Sequence, residues 1–218
     1  MARRSAIEFD GYVMDVEQVR SEGWDDSCYP FNLSAVRSWE RLELHDKVTF
    51  LVGENGSGKS TLIEAIAVAF GFNAEGGSQD HRFSTDPTHS ILNEYLRLVR
   101  TPFRAKDGYF LRAETLYTQS SFIDQVASLR RYGGNAIHQQ SHGEGMMAIF
   151  WHRFAGNGFY ILDEPEAALS PQRQLAFLAR LHQLVQTNSQ LIIATHSPII
   201  LAYPNAWIYE MTETGPKR

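Results

Sequence analysis

The run Gly53-Glu54-Asn55-Gly56-Ser57-Gly58-Lys59-Ser60 constrains this chain more than any other stretch. It follows an apolar, β-branched segment, Val48-Thr49-Phe50-Leu51-Val52, and precedes a helical pattern from Thr61 to Phe70. The spacing is G-x-x-x-x-G-K-[ST], which acquires its meaning from the strand before it and the helix after it. Glycines at 53, 56 and 58 let the backbone turn so that successive N–H groups point inward, while the helix adds its free N-terminal donors and positive dipole end. A loop of this kind cradles a polyphosphate. Lys59 is then placed to reach the β- and γ-phosphates, and Ser60 to offer its hydroxyl to Mg²⁺. The remaining residues of the stretch, Glu54, Asn55, Ser57 and Thr61, join the nucleotide-binding candidates.

A second run complements the first. Phe159-Tyr160-Ile161-Leu162 is a short apolar strand ending in Asp163-Glu164. Acids at the C-terminal tip of a buried strand can face a phosphate loop on a neighbouring strand. Asp163 is the expected Mg²⁺ ligand, and Glu164 the residue that orients and polarises an attacking water. Thr195-His196-Ser197-Pro198 follows another strand, Gln190 to Ala194, so His196 is expected at the same edge, where an imidazole can hydrogen-bond a γ-phosphate or the water. Ser141-His142-Gly143-Glu144 precedes an amphipathic run and fits a capping box. Its place about twenty residues before Asp163 also makes Ser141 and Gly143 candidates for a second anion contact. Ser170-Pro171 reads as a helix N-cap with proline in the first turn.

The rest of the chain sets the architecture. Strand and helix patterns alternate from Ser141 onward, with turns at Gly156-Asn157-Gly158, a helix from Pro171, and a short strand from Trp207 to Tyr209. Such alternation predicts an α/β fold with a mostly parallel sheet covered on both faces. Upstream, Ile7 to Val16 alternates like a strand, contributing to expected N-terminal antiparallel strands. Residues 71–140 read as an inserted, mostly helical subdomain of a single domain spanning 1–218. Within it the pattern predicts a long polar loop from Gly71 to Ser90, a helix over Ile91 to Val99, a strand at Tyr109 to Ala113 and a helix over Ser121 to Leu129.

Charge and cysteine usage narrow the setting. The net charge of −5 gives no broad field for nucleic acid or anionic membrane, and the local basic stretches, Arg97 to Arg112 and Arg130-Arg131, read as solvated surface. One cysteine, Cys28, excludes an intramolecular disulfide and a cysteine metal cluster, and it reads as a small buried residue. No stretch approaches the roughly 18 to 20 apolar residues of a membrane span. A reducing, cytoplasmic setting is expected.

These motifs, in this order, resemble those of the ABC-type ATPase superfamily. The Walker A motif falls at 53–60, the signature motif at Gln140-Ser141-His142-Gly143-Glu144, and the Walker B motif with its glutamate at Asp163 and Glu164. The D-loop falls at Ala167-Ala168-Leu169-Ser170 and the H-loop at Thr195-His196-Ser197-Pro198. Together with Leu111-Arg112-Ala113-Glu114 and the stretch from Asp163 to Pro171, they look like the small single-domain bacterial ATPases labelled AAA family, akin to RecF and SMC heads. The resemblance implies a P-loop fold, ATP and Mg²⁺ as ligands, and an ATP-dependent homodimer in which Ser141 of one chain faces the nucleotide of the other. It also implies a Q-loop residue bound to the metal, which falls on Glu114, with Gln119 as the alternative.

Departures from the family pattern limit the transfer. His142 stands where the signature has its first glycine and Glu144 where it has its glutamine. About eighty residues separate Thr61 from Ser141, far too few for the coiled-coil arms of SMC heads. The adenine base requires a stacking aromatic, for which Tyr29, Phe31 and Trp39 are candidates. The reading expected from these features is Mg²⁺-dependent ATP hydrolysis by a sandwiched dimer. A nucleotide-gated module for DNA or a protein partner is the alternative, and a transporter's energising subunit is a third.

Overall fold

The computed structural model describes residues 9–78, 90–114 and 142–218, without the His142 side chain. In chain order its elements are strands β1 (Val13–Gln18), β2 (Arg41–Glu43) and β3 (Val48–Val52), helix α1 (Lys59–Phe70), strands β4 (Leu96–Arg100) and β5 (Asp107–Arg112), helix α2 (His142–Ala148), strand β6 (Gly158–Asp163), helix α3 (Pro171–Gln186), strand β7 (Gln190–Ala194), the short helix α4 (Pro198–Leu201), and strands β8 (Trp207–Thr212) and β9 (Gly215–Lys217). Six of these strands form one sheet in the order β5-β6-β7-β3-β8-β9, parallel except for the β8–β9 pair. The other three make an antiparallel sheet in the order β2-β1-β4.

Side-chain alternation in the parallel strands divides the apolar residues between two cores. Leu51, Phe110, Phe159, Ile161 and Ile192 face the core shared with α1 and the antiparallel sheet. Their sequence neighbours Phe50, Tyr109, Tyr160, Leu162 and Ile193 face the other core, with Phe150, Phe177 and Leu181 from the opposite layer. Both faces are therefore covered, and β6 and β7 are buried throughout, as a parallel sheet requires. Gln190 pins the two sheets together. Its side chain accepts from the Tyr12 and Val13 amides at 2.7 and 2.9 Å and donates to the carbonyls of Val13 and His45 at 2.7 and 3.0 Å.

Several sequence expectations change here. The helix expected over Ile91 to Val99 is a 3-10 turn, Ile91–Tyr95, followed by β4. Leu92, Leu96 and Val99 fit a helical period, but β1 offers an antiparallel partner that a helix could not use. Consequently the described part of 71–140 is not mostly helical: it contributes β4 to one sheet and β5 to the other. The helix expected over Ser121 to Leu129 lies outside the described residues. Cys28 is exposed, not buried, with its thiol 3.2 Å from Asp25. The N-terminal strand begins at Val13, after Gly11 turns the chain at φ 81°.

Candidate active site

Because β6, β7 and β3 run parallel and side by side, the loops that leave their C-terminal ends meet at one edge of the sheet. The loop after β3 leads into α1, whose N-cap Gly58 has φ 93° and leaves the first helical N–H groups without a side-chain cap. An ordinary residue is strained in that backbone region, and a Cβ there would lie 2.9 Å from Leu33 Cβ. The arrangement exposes donors that suit an anion. Lys59 is 4% exposed and folds back over the loop, donating to the carbonyls of Gly53 at 2.7 Å and Glu54 at 2.9 Å. Burial pulls its pKa down, while Glu164, Asp163 and Glu166 nearby favour the charged form.

Ser60 and Asp163 meet directly. The Ser60 hydroxyl donates to Asp163 Oδ1 at 3.1 Å across 103 positions of sequence. Burial pushes the Asp163 carboxyl up to about 6, opposed by Arg112 and the Ser60 bond and reinforced by Glu164 and Glu114. Asp163 and Ser60 share a cavity of about 280 Å³ with Glu114, Glu164, Ala167 and Ala168. An adjoining cavity of about 410 Å³ touches Asn55, Lys59, Ser60, Thr61, Glu114 and Glu164. Gly53, Glu54 and Ser57 line a further opening beside Thr212 and Glu213.

Glu164 and His196 face each other from adjacent loops, with Glu164 Oε1 3.6 Å from His196 Nε2. Glu164 has φ 50°, a left-handed backbone that costs a residue with a side chain about 1 kcal/mol or more and that clusters at functional sites. The two loops are stitched together. The Glu164 N–H donates to the Ala194 carbonyl at 2.9 Å, and the His196 N–H donates to a Glu166 carboxylate oxygen. Gln174 on α3 accepts from the Ser197 hydroxyl and donates to the Leu169 carbonyl at 3.0 Å. Glu166 and Gln174 carried no sequence signal of their own, since their partners are fixed only when β6 and β7 lie side by side.

Gly143 is pressed against the same loop. A Cβ at this position would sit 2.5 Å from the Ala168 carbonyl oxygen and 2.5 Å from Arg173 Nη1, so only a glycine permits the approach. Glu144 is paired with Arg173 at 3.4 Å. After α2 the chain continues as a π-helical turn, Ile149–Arg153. Ser141 and Gln119 lie outside the described residues. Ser170 caps α3 as expected, accepting from the Arg173 N–H at 3.4 Å.

The aromatic candidates separate. Phe31 is buried against Trp24 and Tyr95, and Trp39 is buried with its indole N–H donated to the Ala35 carbonyl at 2.9 Å. Neither presents a free face to a base. Tyr29 is exposed.

The donor set suits Mg²⁺. Ser60 and Asp163 supply hard oxygens at the cavity wall, and Mg²⁺ is typically held by one or two such ligands with substrate phosphates and waters completing its shell. Among the described residues, no helix is long and apolar enough to cross a membrane.

A doubly covered, mostly parallel sheet with a glycine-rich loop between β3 and α1, and a carboxylate at the tip of β6, defines a P-loop ATPase fold. A family model described as an AAA domain matches residues 31–141, half of the chain, and a model described as an AAA ATPase domain matches residues 146–201. The chain belongs to the AAA domain family. No curated protein matches it. Its fold is shared with the SMC head domain from Thermotoga maritima, at TM-score 0.53 and 16% identity over 94% of this chain and 97% of that one. An SMC head bound to the C-terminal winged-helix domain of ScpA matches at TM-score 0.56 and 14% identity, with the same coverage. CbiO1 from Clostridium perfringens, part of an ABC transporter complex, matches at TM-score 0.53 and 17% identity over 96% of this chain and 88% of that one. Family and fold support nucleotide binding and hydrolysis in general.

Proposed function

We propose that this chain is a Mg²⁺-dependent ATPase that works as an ATP-sandwiched homodimer. The observation that carries the reading is the direct Ser60–Asp163 contact at the mouth of the phosphate loop, with Lys59 beside it and Glu164 and His196 opposite each other on the next two loops. In this reading the backbone of Gly53 to Thr61 binds the polyphosphate. Lys59 leaves the Gly53 and Glu54 carbonyls for the β- and γ-phosphate oxygens, a charge-assisted contact in a partly dehydrated loop. Ser60, Asp163 and Glu114 hold the cation, which, when bound, neutralises charge developing on the phosphates.

Glu164 accepts hydrogen bonds from the attacking water and orients it. His196, within reach of Glu164, donates to the γ-phosphate as charge shifts onto it. Ser141 and Gly143 of a second copy close the site, so nucleotide joins two chains while the γ-phosphate is present and releases them after its loss. The dimer rests on the ABC resemblance, and the pressed contact between Gly143 and the loop at Ala168 ties the approach to Ser141 to the loop that carries Glu164.

Glu164→Gln tests the reading. The amide keeps the shape and cannot polarise water, so ATP binding is expected to persist while turnover falls by about 10²-fold or more. With ATP and Mg²⁺ the variant is expected to elute as a dimer on gel filtration. Unaltered turnover would remove Glu164 from the mechanism, and an ATP-bound monomer would remove the sandwich.

A further inference from the structure

The last residue of β5, Arg112, pairs in register with Asp163, the last residue of β6. Its guanidinium is largely buried and spans two acids. Nη1 lies 2.6 Å from Glu64 Oε2 on α1 and also donates to the Ala74 carbonyl at 3.3 Å. Nε, on the other side of the fork, has no hydrogen-bond partner among the described residues and lies 3.9 Å from Asp163 Oδ2. Asp163 is thus flanked on one oxygen by Ser60 and on the other by an unspent N–H. Glu64 stands one turn beyond Ser60 on α1, so the contacts close a ring from Ser60 through Asp163, Arg112 and Glu64 back to the helix that carries the phosphate loop.

A buried N–H without an acceptor has lost its water and gained nothing in exchange, so its persistence here calls for a state in which it is satisfied. The ring supplies one. When Ser60 turns its hydroxyl to a cation, Asp163 loses the hydrogen bond on Oδ1, and a shift of under about 1 Å brings Oδ2 within hydrogen-bonding range of Arg112 Nε. An Arg suits this task because its rigid fork can hold Glu64 with one N–H while offering another to Asp163. We propose that Arg112 is a positioning residue for the metal site: anchored by Glu64, it holds Asp163 in the orientation that accepts Mg²⁺ after Ser60 has turned away. Arg112 itself lines neither of the two cavities beside Ser60. The inference rests on the nucleotide reading above and adds a residue to it.

The test is binding, not turnover. A fluorescent ATP analogue is titrated into the unaltered chain, Arg112→Lys and Arg112→Met, first in EDTA and then at fixed analogue with increasing Mg²⁺. Losing a partner that orients a metal ligand commonly costs 10- to 100-fold in metal affinity. Arg112→Met is therefore expected to raise the half-saturating Mg²⁺ concentration by about tenfold. Arg112→Lys, which keeps the charge and loses the fork, is expected to raise it by about threefold. In EDTA both variants are expected to bind the analogue within about twofold of the unaltered chain, because the phosphate loop is intact. Should Arg112→Met fail to fold, Arg112→Lys decides the matter alone. Mg²⁺ titrations that match the unaltered chain overturn the inference, as does an equal loss of affinity in EDTA and in Mg²⁺, which marks a merely structural arginine. An unaltered chain that binds no analogue overturns the ATPase reading itself, a result distinct from either.

Discussion

Strands β5 and β6 carry a carboxylate at each end of their pairing, half-buried at one end and buried at the other, and the two are supplied with donors in opposite ways. At the N-terminal end Asp107 is saturated. It is paired with Arg153 at 2.7 Å, accepts from the Tyr160 hydroxyl at 2.7 Å and from the Ala155 N–H at 3.0 Å, and the Tyr160 oxygen in turn accepts from the Gly156 N–H at 3.0 Å. Burial by itself pushes the Asp107 carboxyl up, but these donors more than offset it and hold the pKa below the usual carboxylate range. At the C-terminal end Asp163 has, among the described residues, one hydrogen bond and a guanidinium just out of range, and burial wins, raising its pKa to about 6. Asp163 is the more deeply buried of the two and has the fewer donors, so burial prevails there, while the fuller set of donors overrides the partial burial of Asp107.

That contrast can be broken by mutation. The largest stability effect is expected from Asp107→Ala, which removes the acid paired with Arg153 and the acceptor of the Tyr160 hydroxyl and the Ala155 N–H, and should cost about 3 to 5 kcal/mol in urea unfolding, with little change in nucleotide affinity where the protein is folded. A loss below about 1 kcal/mol would mean that the N-terminal end is not a structural lock.

The opposite sign is expected at the other end. A carboxyl held near pH 6 instead of 3.8 is penalised when it ionises in the fold, by about 1.4 kcal/mol per unit. Asp163→Asn should therefore stabilise the nucleotide- and metal-free protein at pH 8 by up to about 3 kcal/mol, read as a higher thermal midpoint, while abolishing the Mg²⁺ dependence of ATP binding. A destabilised Asp163→Asn chain would show that Arg112 and Ser60 already satisfy the carboxylate.

Tyr160→Phe sharpens the comparison, since it removes one donor to Asp107 and the acceptor for Gly156 and should cost about 1 to 2 kcal/mol. The smallest effect is in pH. Because the folded pKa of Asp107 lies below its unfolded value, its contribution is fully present above about pH 4 and is lost as the pH falls through the folded value. Acid unfolding monitored by circular dichroism should steepen in that window, and Tyr160→Phe, which weakens the hold on the carboxylate, should shift the loss to higher pH.

Much of the candidate site was legible in local sequence, because its parts are local. The glycine spacing before Lys59, the acids ending an apolar strand at Asp163 and Glu164, and the Ser170-Pro171 cap each need only their immediate neighbours to be recognised, and the structure brings Lys59, Ser60, Asp163, Glu164 and His196 to one edge. Local pattern failed where a partner decided the conformation. Ile91 to Val99 carries a helical period, yet Leu96 to Arg100 pair with β1, and a ladder of backbone hydrogen bonds with a buried face outweighs a weak propensity. Cys28 has small apolar size but sits in an exposed turn beside Asp25.

By itself the sequence determined a parallel α/β sheet, a phosphate loop at its C-terminal edge and the identity of the acids and histidine beside it, since period, spacing and chain order are properties of the string. Only the tertiary structure decided which polar and charged groups meet. Glu64 with Arg112 is a contact across 48 positions, Asp107 with Tyr160 one across 53, and Gln190 with Tyr12 one across 178. These pairings follow from the strand order β5-β6-β7-β3 and from the packing of α1 and the antiparallel sheet against it, which bring segments distant in the chain together and remove the water between their polar groups.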